Sequence, residues 1–404
     1  MPHPSQIAIS DYTYDLPQEK IAAYPLENRH ASKLLDYKNE TIEEFVFRDL
    51  TDVLPEHAVL VFNKTRVIQA RLHFFTEKSQ AIEIFCLEPH EPHEDLTVAM
   101  AKQLSCRWNC LVGNLKRWKE NELILKKGDI SLKASIVERF ETHVVIDFSW
   151  EPKELCFAEV LSALGNMPIP PYLKRKSELK DSERYQTIYA EAEGSVAAPT
   201  AGLHFTEEVM QSLDKKGIER LSLTLHVGAG TFKPVKSEKL KDHSMHAEWL
   251  EVEKSMIEKL VKCKDKTIVA VGTTSLRSLE SLYWMGLKVY LNPESHLEEI
   301  EIKQWEVYEL EQSSIPLEAS LGALLSWMEA RSLEKLICQT QILIAPPYQL
   351  KVAKGLVTNF HQPQSTLLLL VSAIVGDKWK SIYQYALDHE FRFLSYGDSS
   401  LLLK

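Results

Sequence analysis

Glycine and proline are sparse in this chain, 14 and 18 among 404 residues, too few for a collagen-like or low-complexity protein. Long apolar runs are missing too. The longest worth testing, Leu367–Val371 continuing through Ser372 to Ile374 and Val375, falls well short of the roughly 20 residues a bilayer span needs, so it reads as a buried helix or strand. The opening MPHPSQIAISDYTYDLPQEK has no basic segment followed by an apolar one, so no signal peptide is expected. Six scattered cysteines (Cys86, Cys106, Cys110, Cys156, Cys263 and Cys338) are too few for a secreted disulfide scaffold of this size. A cytoplasmic protein without a membrane partner is the expectation. Excess positive charge is also lacking: 47 Lys and Arg against 57 Asp and Glu give a net charge of -10. That excludes a non-specific DNA coater, but not an enzyme that grips nucleic acid through one local basic patch.

What is present is ordinary globular composition, 45% hydrophobic and 26% charged. At 46.3 kDa the chain is longer than one core usually serves, so two domains are expected. The N-terminal part has α/β texture: a helical IAAYPL stretch, a short SKLLDY strand and a buried VLVFN strand over residues 59–63. From about 67 to 151 the texture changes. AIEIFCLE, DLTVAMA, ELILKKG, ISLKASIVERF and HVVIDFSW read as short strands split by polar turns, the pattern of a small β-barrel or sandwich. Afterwards helical segments (FAEVLSALG, TEEVMQSLDKKG, TTSLRSLESLYWMG, ASLGALLSWMEARSLEKL) alternate with strands (LSLTLHVG, TIVAVG, and a strand-like WEVYEL). The expected architecture is α/β: a discontinuous large domain over 1–66 and 152–404, with a mixed or parallel sheet, and an inserted β-barrel over 67–151.

Several segments hold residues that a packed core does not want. EGSVAAPTAGLHF places Thr200, Gly202 and His204 just ahead of a helix, where small residues let a ligand approach the backbone. In TLHVGAGTF a strand carrying His226 runs into Gly228, Gly230 and Thr231. AVGTTSLRSLES is a strand, a glycine, then Thr273 and Thr274 opening a helix with Arg277 one turn along. That arrangement serves N-capping, recognition of a carboxylate or phosphate, or both. Asn359, His361 and Asp398 lie in polar runs against apolar segments and are costly to bury unpaired. His243 and His246, three apart and followed by Glu248, would suit a metal on a helix. No CxxC or HExxH accompanies them, so no metal is expected, and catalytic or hydrogen-bonding histidines fit better. These residues describe a pocket for a small anionic or zwitterionic ligand.

AAPTAGLHF, LHVGAGTFKPV, HSMHAEW, AVGTTSLRSLES, TNFHQPQSTLLLLVSA and FRFLSYGDSSLL, with DYTYDLPQEKIAAYPLENRHASKLL, VFNKTRVIQARL, PIPPYLKR and ERYQTIYA, resemble the signature blocks of the S-adenosylmethionine:tRNA ribosyltransferase-isomerase family, almost end to end. The chain departs from that pattern at TEKSQAIEIFCLE and at IAPPYQLK. The resemblance implies a large α/β domain with an inserted barrel and a role in queuosine formation. The ribosyl part of S-adenosylmethionine, a co-substrate and not a resident cofactor, is moved onto 7-aminomethyl-7-deazaguanine at the tRNA wobble position and isomerised to epoxyqueuosine. Adenine and methionine leave. With that chemistry, His204 or His226 is the candidate base or acid, with His246 and Asp398 also counted as catalytic candidates. Thr273, Thr274 and Arg277 fall to the methionine carboxylate. Thr200, Gly228, Gly230, Thr231, Asn359 and His361 complete the co-substrate site. Lys174, Arg175, Lys176 and Arg184, beside Tyr172 and Tyr185, are the candidate surface for the anticodon stem-loop, and no obligate protein partner is evident. Two rivals are a methyltransferase, supported only by the glycine turn of AVGTTS, and a non-catalytic RNA-binding module, which the net charge fits poorly.

Overall fold

The computed structural model describes residues 3–91, 96–228 and 237–404, grouped into two compact units. The first comprises residues 3–64, 187–190 and the described part of 199–404. It is built on a nine-stranded mixed sheet in the order Lys335–Thr340, Glu248–Glu253, Glu219–His226, Val59–Asn63, Ile268–Val271, Gly355–Asn359, Ser399–Leu403, Lys33–Lys38, Thr41–Val46. The centre runs parallel: Val59–Asn63 pairs in parallel with Glu219–His226 and Ile268–Val271, and Ile268–Val271 does so with Gly355–Asn359. The flanks add antiparallel strands. The central strands are buried along their whole length, as expected where both faces are covered.

Helix Thr273–Leu291 follows directly from one of those central strands and is buried almost all round. It has no solvent stripe because the sheet lies on one side and helix Leu317–Ala330 on the other. At Gly286 the two helices touch: a Cβ there would lie 2.3 Å from the Ser320 carbonyl oxygen. A second layer of apolar side chains, including Leu34, Phe47, Leu60, Phe205, Val209 and Val357, fills the space between the sheet and helix Glu207–Lys215.

The second unit comprises residues 65–186, apart from 92–95, with 191–198. Six antiparallel strands, in the order Arg71–Phe75, Ala81–Pro89, Ser105–Gly113, Val144–Glu151, Ile130–Arg139, Glu122–Lys127, curl into a nearly closed barrel. Helix Phe157–Leu164 belongs to this unit for a packing reason. Phe157 inserts among Trp108, Phe148 and Trp150, with ring centroids 5.2, 5.5 and 5.5 Å away. The texture break at 151 is thus followed by further residues of the same compact unit. All six cysteines are unpaired.

Four local readings are corrected. IAAYPL is not helical: Ile21 bridges to Phe393, and the Ala22 N–H donates to the Phe393 carbonyl. DLTVAMA holds a helix, Leu96–Ala101, in place of a strand; its adjacent Ala99 and Met100 are both buried, which strict alternation forbids. WEVYEL is the helix Glu306–Leu310, anchored where Glu306 pairs with Lys288. The helix begun at ASLGALL ends at Ala330, and its expected tail enters the strand Lys335–Thr340. No helix among the described residues is long and apolar enough to cross a membrane.

Candidate active site

His204 ends the 3-10 turn Thr200–His204, and Thr200 is its half-buried first residue. Both imidazole nitrogens of His204 are engaged. The Asn359 amide nitrogen donates to the Leu394 carbonyl at 3.1 Å, which orients the amide so that it also donates to His204 Nε2 at 3.1 Å. His204 Nε2 is therefore the acceptor, and Nδ1–H donates to Ser32 Oγ at 2.8 Å. Burial pulls the His204 pKa down to about 4, and nearby Asp398 and the Arg29 backbone restore only part of the loss. The group is a neutral, oriented imidazole. Asn359 Oδ1 is buried with no partner among the described residues.

His361 is also held neutral, its pKa lowered to about 3 by burial. Its Nε2 meets Thr358 Oγ1 at 2.9 Å, while its N–H donates to Tyr383 and its carbonyl accepts from Tyr14. Asp398 is committed to structure. Its carboxylate accepts from the backbone N–H groups of Lys33 and Arg392, at 3.0 and 2.8 Å, and from the Arg392 guanidinium at 2.7 Å. That set ties the turn before the last strand to the first strand of the same sheet.

The start of helix Thr273–Leu291 has a different character. Gly272 precedes it at φ 89°, a backbone conformation that side chains resist. Thr274 and Arg277 stand one turn apart, three residues along, so they share a face. Arg277 is buried; it forms an ion pair through Nη1 with buried Glu248 and donates from Nε to the Ile342 carbonyl at 3.1 Å. Its Nη2 is buried without a partner among the described residues, and so is Thr274 Oγ1. Thr273 is buried beside them. Unspent buried donors at a helix N-terminus are suited to an anion.

His226 ends the strand Glu219–His226, and its Nε2 lies 2.9 Å from Glu251 Oε1. That hydrogen bond, reinforced by the His226 and Lys335 charges, holds Glu251 below the usual carboxylate range despite partial burial. Gly228 follows, and no atom of the described residues lies within 4 Å of where a Cβ would stand. Gly230 and Thr231 lie outside the described residues. His243 and His246 lie in the non-helical approach to strand Glu248–Glu253, His246 exposed and His243 half-buried, so the helical metal spacing does not arise. Among the described residues no group of three His, Cys, Asp or Glu side chains is placed to hold a metal ion.

In the second unit, Arg175 is not a free surface cation: both guanidinium nitrogens reach Asp181 at 2.7 Å, and both side chains are largely buried. Lys174 and Lys176 are exposed, and Arg184 is half-buried. Sequence reasoning missed Ser32, Glu251 and the role of Glu248. Glu248 carried a usable signal. In EWLEVE it shares an alternating face with Leu250 and Val252, and an acid on a buried face needs a cation.

Residues 9–402 match the family described as "Queuosine biosynthesis protein". The S-adenosylmethionine:tRNA ribosyltransferase-isomerase of Legionella pneumophila (strain Lens) is 37% identical over 400 residues, covering 97% of this chain and 99% of that protein. Its namesake from Sulfurihydrogenibium sp. (strain YO3AOP1) is 36% identical over 401 residues, covering 98% and 99%. The crystal structure of S-adenosylmethionine tRNA ribosyltransferase from Thermotoga maritima is 27% identical, covers 98% of this chain and 100% of that one, and superposes with a TM-score of 0.46. With the match running nearly end to end, the chain belongs to the queuosine biosynthesis protein family.

Proposed function

We propose that the chain acts in the cytoplasm as an S-adenosylmethionine:tRNA ribosyltransferase-isomerase, moving the ribosyl moiety of S-adenosylmethionine onto 7-aminomethyl-7-deazaguanine at the tRNA wobble position to give epoxyqueuosine. Family membership over residues 9–402 supports the reaction. The observation that carries the site assignment is the pair of unspent buried donors, Arg277 Nη2 and Thr274 Oγ1, at the start of helix Thr273–Leu291. A carboxylate is the part of S-adenosylmethionine that such donors recognise, and Glu248 presents the guanidinium in a fixed orientation.

The sulfonium acidifies the neighbouring ribose 5′ carbon, so the reaction starts with loss of a proton there. Adenine then departs, the aminomethyl group of the base attacks, and methionine leaves last. The proton acceptor needs a pKa near the working pH. Burial takes His204 away from that range, and His226 is the candidate that a carboxylate orients. Glu251, held below the usual carboxylate range, accepts its Nε2–H and fixes the ring's orientation. His204, with both nitrogens spent and a pKa near 4, acts as a positioning residue that orients Asn359, whose Oδ1 and the His361 imidazole line the polar wall. Asp398 supports that wall through Arg392. Thr200 and Gly228 are assigned to the nucleoside, as are Gly230 and Thr231 outside the described residues. His246, exposed, is left to a secondary proton-transfer role at most.

Mass spectrometry of premodified tRNA after incubation with S-adenosylmethionine, together with detection of free adenine, tests the reaction. S-adenosylhomocysteine as the product would mark a methyltransferase instead. His226→Ala should abolish adenine release while co-substrate binding persists, and Glu251→Gln should shift the acid limb of the pH–rate profile. A His226→Ala enzyme of normal turnover refutes the assignment.

A further inference from the structure

The most exposed large apolar side chain among the described residues is Leu179, at 95%, with Phe75 next at 60%. Its setting is rigid. The buried Asp181 carboxylate takes the Arg175 guanidinium on both oxygens and also accepts the Glu178 N–H at 2.8 Å. The Leu179 carbonyl is held in turn by the Ser182 hydroxyl at 2.6 Å and the Ser182 N–H at 3.3 Å. The leucine therefore stands on a stapled turn. Within five residues of it in sequence Lys174, Lys176 and Lys180 are exposed, as are Glu178 and Glu183, and Arg184 is half-buried. The turn is locally positive on a chain of net charge -10.

We propose that Leu179 is an apolar wedge that packs against an unstacked base in the loop of the tRNA substrate, with Lys174, Lys176 and Lys180 on the flanking phosphates. This rests on the tRNA reading above. One bare leucine is too small for a protein-docking patch, which needs hundreds of Å² of contiguous surface. Exposed lysines close in sequence to a hydrogen-bonded apolar tip instead match an RNA loop, whose bases splay away from a charged backbone. The buried Arg175–Asp181 pair positions the wedge and does not itself contact RNA.

The test uses full-length enzyme and premodified tRNA, with 2-aminopurine placed in the anticodon loop for a binding signal. Leu179→Ala should raise the KM for tRNA about tenfold and remove the fluorescence rise, leaving the KM for S-adenosylmethionine unmoved; Leu179→Phe should retain the rise. Lys176→Glu should weaken binding and lower its salt dependence by about one phosphate contact. Wild-type KM and fluorescence in Leu179→Ala overturn the wedge, even if the wild type releases adenine normally. Loss of a concentration-dependent dimer on Leu179→Ala, with tRNA binding intact, overturns it in favour of a contact with a second copy. A wild type that never releases adenine instead removes the reading beneath it.

Discussion

Consider the Arg277–Glu248 pair under substitution. Their side chains are 5% and 4% exposed, so neither charge is offset by water. Glu248→Ala strands a guanidinium in the interior and should cost about 3–5 kcal/mol, a large share of the roughly 5–15 kcal/mol a protein has in total. Replacing both residues with apolar ones of similar volume (Arg277→Met with Glu248→Leu) removes the stranded charge, and stability should return to within about 2 kcal/mol of wild type. Function should not return with it. If Arg277 Nη2 binds the methionine carboxylate, the double variant loses a charge-assisted hydrogen bond of about 1.5–3 kcal/mol, raising the KM for S-adenosylmethionine roughly 10- to 150-fold. Urea unfolding and adenine release at varied co-substrate concentration read the two effects separately. A double variant that regains stability and keeps the wild-type KM would show that the pair is structural and that the carboxylate binds elsewhere.

Acid sensitivity follows from the buried imidazoles. His204 and His361 have pKa values lowered from 6.5 to about 4 and about 3, so below pH 6.5 the unfolded chain binds protons that the native state refuses. Their contribution is complete above that pH and is lost as pH falls towards the native values, by about 2 kcal/mol each at pH 5. Denaturation at pH 7 and pH 5 measures it, and a flat response would refute the neutral assignment. Asp36 opposes this trend: burial and the facing Glu43 push it up to about 6, and its buried Oδ1 has no partner among the described residues. Its raised pKa favours the native state at low pH and penalises it as pH rises through 6. Asp36→Asn should therefore stabilise the protein at pH 7.5 by about 1 kcal/mol, after allowance for solvent on its open side, with the gain shrinking at pH 5. A destabilised Asp36→Asn protein at pH 7.5 would contradict this.

Much of the fold was legible because its signals are local. VLVFN carries a strand's apolar run and is the strand Val59–Asn63, while the hydroxyl pair after Gly272 marks where helix Thr273–Leu291 begins. Two of the misreadings share one cause: a distant partner outweighed local preference. Ile21 and Ala22 surrender helical bonding to pair with Phe393, more than 370 residues away. WEVYEL is rich in the aromatic and β-branched residues that strands favour, yet it is helical, and the Glu306 carboxylate receives Lys288 from another helix. The barrel's strand pattern could not announce that helix Phe157–Leu164 packs with it, because Phe157 looks apolar whichever core it enters.

The site divides along the same line. Thr274 and Arg277 are neighbours through helical periodicity alone, so a helix start with an arginine one turn on could be read from sequence. What that arginine can do depends on Glu248, 29 residues earlier on a strand, which takes one guanidinium arm and leaves another unspent. The histidines show the sharper limit. His204 and His226 are equivalent as letters, one just after a run of small residues and the other just ahead of a glycine-rich one. Ser32 and Asn359, 172 and 155 residues from His204, close both of its nitrogens, whereas Glu251, 25 residues from His226, supplies a carboxylate to one. What an imidazole can do depends on what its nitrogens touch. Residue type therefore nominated both histidines, and the contacts that tell the two rings apart come from elements that neither local sequence shows.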